Sequence, residues 1–190
     1  MCGIVAATAR REVSEILLEG LRRLEYRGYD SAGMALIDNE HRLQLHKYQG
    51  KVAALSDAQA LEPILGCTGI AHTRWATHGQ PSAANAHPHI SGQRIAIVHN
   101  GIIENHAALR EELRADGYEF VSATDTEVIV QMLHRAVSGG SSLLDALRET
   151  VARLEGAYAL AALDSLNPDV VVASRSGRPL GVGMCIGEHF

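Results

Sequence analysis

The chain has 190 residues, enough for one domain with a substantial core, and its 46% hydrophobic and 21% charged residues exclude disorder and fibrous repeats. Lys and Arg total 17 against 22 Asp and Glu, a formal charge of −5 with no basic run, so no nucleic-acid partner is expected. No apolar stretch approaches the roughly 18 residues a membrane helix needs, so no membrane association is expected either.

The apolar run Ile4-Val5-Ala6-Ala7 is too short for a signal peptide and lacks a basic segment before it. Cys2, Cys67 and Cys185 are an odd, widely spaced set without a C-x-x-C pair. A reducing compartment, the cytoplasm, is the expectation, with no disulfide framework.

Along the chain, residues 2–8 read as a buried strand that would hold the N-terminus in place. Val13, Ile16, Leu17, Leu21 and Leu24 recur at helical spacing and predict a helix over 12–25. Two strands, 32–38 and 42–48, are joined by the polar turn Asp38-Asn39-Glu40. Further strands are expected at 68–72, 94–99, 157–164 and 170–174, and helices at 104–116, 125–138 and 142–154. Gly117 closes the first of these helices and Gly139-Gly140 the second. The pattern predicts an α+β domain with a largely antiparallel sheet. No repeat or linker interrupts it, and the apolar, Gly-rich run from Pro179 to Phe190 is expected to stop in or beside a strand, as in a fragment of something longer.

Several familiar sites are absent from the sequence. There is no G-x-S-x-G elbow and no phosphate loop, and the glycines of 181–187 are misplaced for a dinucleotide loop. Of ten histidines, only His87-Pro88-His89 forms a tight pair, with no nearby carboxylate or thiol. Surface or hydrogen-bonded histidines are therefore favoured, and neither a metal nor a cofactor is expected.

Cys2 has more to offer. If Met1 is trimmed, Cys2 carries a free α-amine with a reference pKa of about 7.7–8.0, partly neutral at physiological pH as a general base must be. Thiol and amine together make an N-terminal nucleophile. A frayed terminus that happens to hold Cys is the plainer reading of Met-Cys-Gly, weakened by the apolar strand behind it. Attack on an amide also needs oxyanion donors, and Asn100-Gly101 supplies a side-chain amide beside a backbone N–H. The dipeptide is equally a hairpin signal, although the helical pattern that follows puts it at a strand-to-helix junction. Arg74 is suited to a carboxylate, with Thr77 and His78 as nearby donors, but the commoner fate of a lone Arg-Trp makes Trp75 a core residue and Arg74 its solvated neighbour. Asp125 lies in Thr124-Asp125-Thr126-Glu127, a capping-box sequence, and helix initiation alone accounts for it.

The combination carries further than any part. Cys2-Gly3-Ile4-Val5, the run 22–33 around Glu25-Tyr26-Arg27-Gly28-Tyr29, the runs 72–79 and 85–89, His99-Asn100-Gly101-Ile102-Ile103-Glu104-Asn105, and 124–127 occur in one order. They resemble the blocks of the glucosamine-6-phosphate synthase family, also called glutamine–fructose-6-phosphate aminotransferases, over essentially the whole chain.

The resemblance implies an N-terminal-nucleophile amidotransferase with a four-layer αββα sandwich. It also implies the roles. Cys2 attacks the side-chain amide of L-glutamine, and Asn100 and Gly101 form the oxyanion hole. Arg74 holds the α-carboxylate and Asp125 the α-ammonium, while Trp75, Thr77 and His78 line the pocket. Arg27 and Gly28 steady the terminus.

In that family the ammonia converts fructose 6-phosphate to glucosamine 6-phosphate in two further isomerase domains that mediate dimerisation. Those domains lie outside this sequence, and residues 1–190 are expected to be a glutaminase domain clipped at its C-terminus. The rivals are another amidotransferase with the same nucleophile, such as the purine-pathway amidophosphoribosyltransferase, and a non-catalytic glutamine-binding module should Met1 be retained.

Overall fold

The computed structural model describes residues 2–75 and 79–190. Two antiparallel sheets lie face to face between helices. The first has six strands in the order β3-β2-β4-β1-β10-β9: β1 (Gly3–Ala9), β2 (Ser31–Ile37), β3 (Leu43–Gln49), β4 (Thr68–Arg74), β9 (Met184–Cys185) and β10 (Glu188–His189). The second has four strands in the order β5-β6-β7-β8: β5 (His89–Ser91), β6 (Ile95–Ile103), β7 (Gly156–Asp164) and β8 (Val171–Ser176).

The layers follow from side-chain alternation along the strands. Ala7, Ala32, Met34, Leu36 and Ala71 face outward onto Leu17, Leu18 and Leu21 of α1 (Ser14–Leu24) and Val52 and Leu55 of α2 (Val52–Leu61). Their neighbours Ala35, Ile37 and Ile70 point the other way, onto Ala96, Val98, Ala161 and Leu163 of the second sheet. That sheet's far face, with Ile95, Ile97, Leu160 and Ala162, is covered by Ile129 and Leu133 of α4 (Thr126–Ser138) and Ala146 and Leu147 of α5 (Leu143–Val151). The remaining helix, α3 (His106–Ala115), packs Leu109 and Leu113 on Val128 and Met132 of α4. The α+β expectation is thereby refined to the αββα sandwich. Both β2 and β4 are buried along their full length, as central strands of a covered sheet must be.

Most sequence-predicted elements appear within a residue or two of their expected ends. Helix α2 was not anticipated: its sequence is rich in Ala and shows no apolar stripe, and its buried face is Val52, Leu55 and Gln59. Gln59 is tolerated inside because its amide donates to the Ile64 carbonyl at 2.8 Å and accepts from the Ile64 N–H at 3.1 Å. Strand β6 runs four residues beyond its expected end at His99, so Asn100-Gly101 is neither a hairpin turn nor a strand-to-helix junction. It lies inside the strand, with Asn100 opposite Ala159 and Gly101 opposite Tyr158. The run from Pro179 does end in a strand, since β10 pairs with β1 through Thr8–His189 and Ala9–Glu188.

Candidate active site

The same alternation that builds the interior assembles the site. In β4, Ile70 faces the second sheet, so His72 and Arg74 share that face. In β6, Val98 faces the first sheet, and Asn100 is in phase with it. One residue ahead of β1, Cys2 is in phase with Ile4 and Ala6. Side chains far apart in sequence therefore converge at one end of the gap between the sheets. Cys2, Arg74 and Asn100 line a cavity of about 440 Å³ together with Arg27, Trp75, Gly101 and Asp125, and His72 lies behind it.

Cys2 is held by the β1–β4 ladder behind it, which begins at Gly3 opposite Thr73. The Trp75 N–H donates to Cys2 Sγ at 3.2 Å, and Asn100 Nδ2 donates to the Cys2 carbonyl at 3.0 Å. Burial pushes the thiol pKa up, and the Trp75 hydrogen bond only partly offsets that. Burial therefore favours the protonated thiol.

Arg74 is 3% exposed, so it is not the solvated neighbour of Trp75; the exposure runs the other way, with Trp75 at 44%. The Arg74 guanidinium donates to the carbonyls of Gly79 at 3.2 Å and Gln80 at 3.4 Å. Its pKa is lowered by desolvation, while Cys2, Asp30 and Asp125 act in the opposite sense. The indole of Trp75 meets Tyr29 edge-on at 5.5 Å.

Gly28 packs directly on the Arg74–Trp75 peptide. A Cβ there would come within 2.8 Å of the Arg74 carbonyl carbon and 3.0 Å of the Trp75 nitrogen. Gly101 has φ +143°, and a Cβ would collide with the Ala157 carbonyl oxygen and approach Tyr158 Cα to 2.7 Å. Both positions are closed to any other residue without backbone movement.

Asp125 precedes α4 and is buried, but the capping box does not form. Glu127 reaches back to the N–H groups of Val121 at 2.9 Å and Ser122 at 2.7 Å, and Thr124 Oγ1 is engaged by His89 Nε2 at 3.0 Å. Asp125 Oδ2 instead accepts from the Ile103 N–H at 2.8 Å, tying α4 to the end of β6. Its Oδ1 lies 4.0 Å from His99 Nδ1. Thr77 and His78, also expected at the pocket, lie outside the described residues.

Sequence reasoning assigned no role to the histidines behind the site. His72, His87, His89 and His99 are all buried. His72 stacks on His87 with ring centroids 4.2 Å apart, and His87 meets His89 edge-on at 4.8 Å. Burial is the main cause that lowers the pKa of His72 to about 3 and holds His87 and His89 well below the usual range. All three are neutral at physiological pH. The signal that would have found His72 is its phase with Arg74 in β4. Among the described residues, no His, Cys, Asp or Glu group is arranged to hold a metal ion.

The glutamine amidotransferase domain family matches residues 72–180, more than half of the chain and most of the site's walls. The chain belongs to that family. The amidotransferase domain is 57% identical over all 190 residues to the glutamine–fructose-6-phosphate aminotransferase (isomerizing) of Pseudomonas aeruginosa and 56% identical to that of Escherichia coli K12. It spans 31% of the length of each of these relatives.

Among solved structures, the Bacillus subtilis glutamine phosphoribosylpyrophosphate amidotransferase superimposes with a TM-score of 0.84 at 28% identity. A second, the allosteric regulatory enzyme of purine biosynthesis, gives 0.85, also at 28% identity. Each alignment covers 99% of this chain and 41% of the other. The fold is thus common to both kinds of amidotransferase, while the sequence is far nearer the first. No helix among the described residues is long and apolar enough to cross a membrane.

Proposed function

We propose that this domain hydrolyses the side-chain amide of L-glutamine to glutamate and ammonia, with Cys2 as nucleophile once Met1 is removed. The observation that carries the reading is the Asn100 amide, 3.0 Å from the Cys2 carbonyl in a cavity that an arginine and a carboxylate also line. One Asn100 Nδ2 hydrogen serves that carbonyl, and the second is available to an oxygen bound beside Sγ.

Cys2 Sγ attacks the amide carbon while the α-amine of the same residue takes the thiol proton. The carbonyl electrons move to oxygen, where Asn100 Nδ2 and the Gly101 N–H stabilise the oxyanion. Collapse of the tetrahedral intermediate breaks the C–N bond, and the α-ammonium returns the proton to the leaving nitrogen as ammonia departs. Water then adds to the thioester and releases glutamate and the thiol. The raised thiol pKa supports the need for the amine as base.

Arg74 pairs with the substrate's α-carboxylate through its planar guanidinium, and Asp125 Oδ1 with the α-ammonium. Trp75 contacts the substrate at the mouth of the cavity, Thr77 and His78, which lie outside the described residues, are assigned to substrate binding with it, and Arg27 and Gly28 hold the terminus in register. In a protein of the relatives' length, the ammonia passes to a fructose 6-phosphate site outside this chain to make glucosamine 6-phosphate, and the assembly is a homodimer. The reading places the enzyme in the cytoplasm, with no cofactor.

The test is an assay of glutamate and ammonia on chain whose loss of Met1 has been verified by mass. Glutamate and ammonia should appear in equal amounts, with no glucosamine 6-phosphate and no stimulation by fructose 6-phosphate. A folded, trimmed chain that binds glutamine without cleaving it would instead be a binding module.

A further inference from the structure

His72 sits on the first sheet and Asn100 on the second, and one hydrogen bond joins them across the interior. The identity of each atom in that bond follows from donor and acceptor chemistry. The Cys2 carbonyl can only accept, so the Asn100 atom 3.0 Å from it is the amide nitrogen. The opposite end of the amide, 3.0 Å from His72 Nε2, is therefore Oδ1. His72 Nε2 also lies 3.1 Å from the His99 carbonyl, a second pure acceptor. Two oxygens facing one ring nitrogen require a proton on that nitrogen, so His72 is the Nε2–H tautomer.

We propose that His72 is the positioning residue of the oxyanion hole: its Nε2–H, shared between Asn100 Oδ1 and the His99 carbonyl, fixes the orientation of the Asn100 amide. The inference rests on the reading of Asn100 as an oxyanion donor. Without this bond, a rotation of about 180° about the terminal torsion of Asn100 would exchange oxygen for nitrogen at little intrinsic cost, because such torsions are broad and roughly two-fold. The flipped amide would place an oxygen beside the Cys2 carbonyl and present a lone pair, not an N–H, to the developing oxyanion.

The surroundings are built to keep His72 in this one state. The ring is 0% exposed and stacked on His87, and its Nδ1 has no hydrogen-bond partner among the described residues. A proton on Nδ1 would be buried without an acceptor, and an imidazolium would be buried without a counter-charge. His87 Nε2 and His99 Nδ1 both meet Thr126 Oγ1, at 2.9 and 2.8 Å, which fixes the ring below His72 and the backbone that carries its acceptor. A pKa lowered to about 3 agrees with a ring that stays neutral throughout turnover.

The experiment is a double-mutant cycle on the trimmed chain, with folding monitored by circular dichroism. Asn100→Ala alone tests the reading beneath the inference, and kcat should fall by roughly 10²–10³-fold. If it does not, the oxyanion role fails first. Given that loss, His72→Leu should lower kcat by about 10–100-fold with little change in KM, and should cost nothing further in the Asn100→Ala background. His72→Gln, which can offer an N–H near the Nε2 position, should recover part of the rate. Equal factors for His72→Leu in both backgrounds would mean that His72 merely stabilises the fold, and the proposal would be wrong. Nitrogen NMR of the wild-type ring needs no variant: an Nε2–H neutral imidazole supports the proposal, and an Nδ1–H or doubly protonated ring overturns it.

Discussion

Cys2 and Asn100 reach the same cavity from different sheets, and they are held there by different means. Cys2 is carried by a backbone ladder from Gly3 to Thr8 along β4, with Gly28 pressed against the Arg74–Trp75 peptide beside it. Asn100 is oriented by side chains: His72 on its oxygen, and behind it a set of buried histidines joined through Thr124 and Thr126. A ladder of peptide groups has nothing to titrate. A buried histidine set holds its geometry only while its rings stay neutral. The ladder that carries Cys2 is therefore insensitive to pH in its backbone, whereas the buried histidines that orient Asn100, His72 of β4 among them, bring acid sensitivity to the interior.

The largest expected effect breaks the comparison at the nucleophile. Cys2→Ala should abolish glutamine hydrolysis, because only Cys2 places a thiol beside a terminal amine, while Cys67→Ala and Cys185→Ala leave the rate near wild type. Labelling with a glutamine-like electrophile followed by peptide mapping reads this directly. Modification at Cys67 or Cys185 in place of Cys2 would sink the assignment.

An intermediate effect sharpens the difference between gripping and reacting. Arg74 is proposed to hold a carboxylate that does not change during the reaction, so its contact exists in ground and transition states alike. Arg74→Ala should raise KM by about 10–100-fold, the worth of a charge-assisted contact of roughly 1.5–3 kcal/mol, with a smaller loss in kcat. Asn100→Ala should show the opposite split. A fall in kcat at unchanged KM for Arg74→Ala would place it in the chemistry instead.

The smallest effect per unit change is on stability, and it belongs to the buried histidines. The pKa of His72 is about 3 in the folded chain against 6.5 when free, and His87 and His89 are shifted the same way. As pH falls below about 6.5, the unfolded chain binds protons that the folded chain excludes, so stability is full above that value and declines towards about pH 3. Each such ring contributes on the order of 1 kcal/mol per pH unit within that window. The urea midpoint should therefore drop between about pH 7.5 and about pH 5.5, above the range in which most carboxylates titrate. A midpoint unchanged over that interval would falsify the neutral-histidine account.

The sequence by itself determined the strand and helix periods, the α+β class, and the chemistry that Cys2 makes possible, because these depend on local alternation and on the bonding capacity of single residues. The blocks shared with the glucosamine-6-phosphate synthases identified the amidotransferase architecture and nominated the site. What the sequence left open at Asn100-Gly101 and Thr124–Glu127 turned on contacts across the interior. An Asn-Gly pair turns a chain or extends it according to what lies opposite, and here β7 supplies Ala159 and Tyr158. A capping-box sequence caps only if its side chains have no better partners, and here Glu127 and Thr124 do. The tertiary structure also decided that Arg74 is buried while Trp75 is exposed, since the end of β4 lies between two sheets and the residue after it emerges at the rim. Above all it decided the role of His72, whose single polar contact with Asn100 spans 28 positions of sequence and exists only once the two sheets have packed.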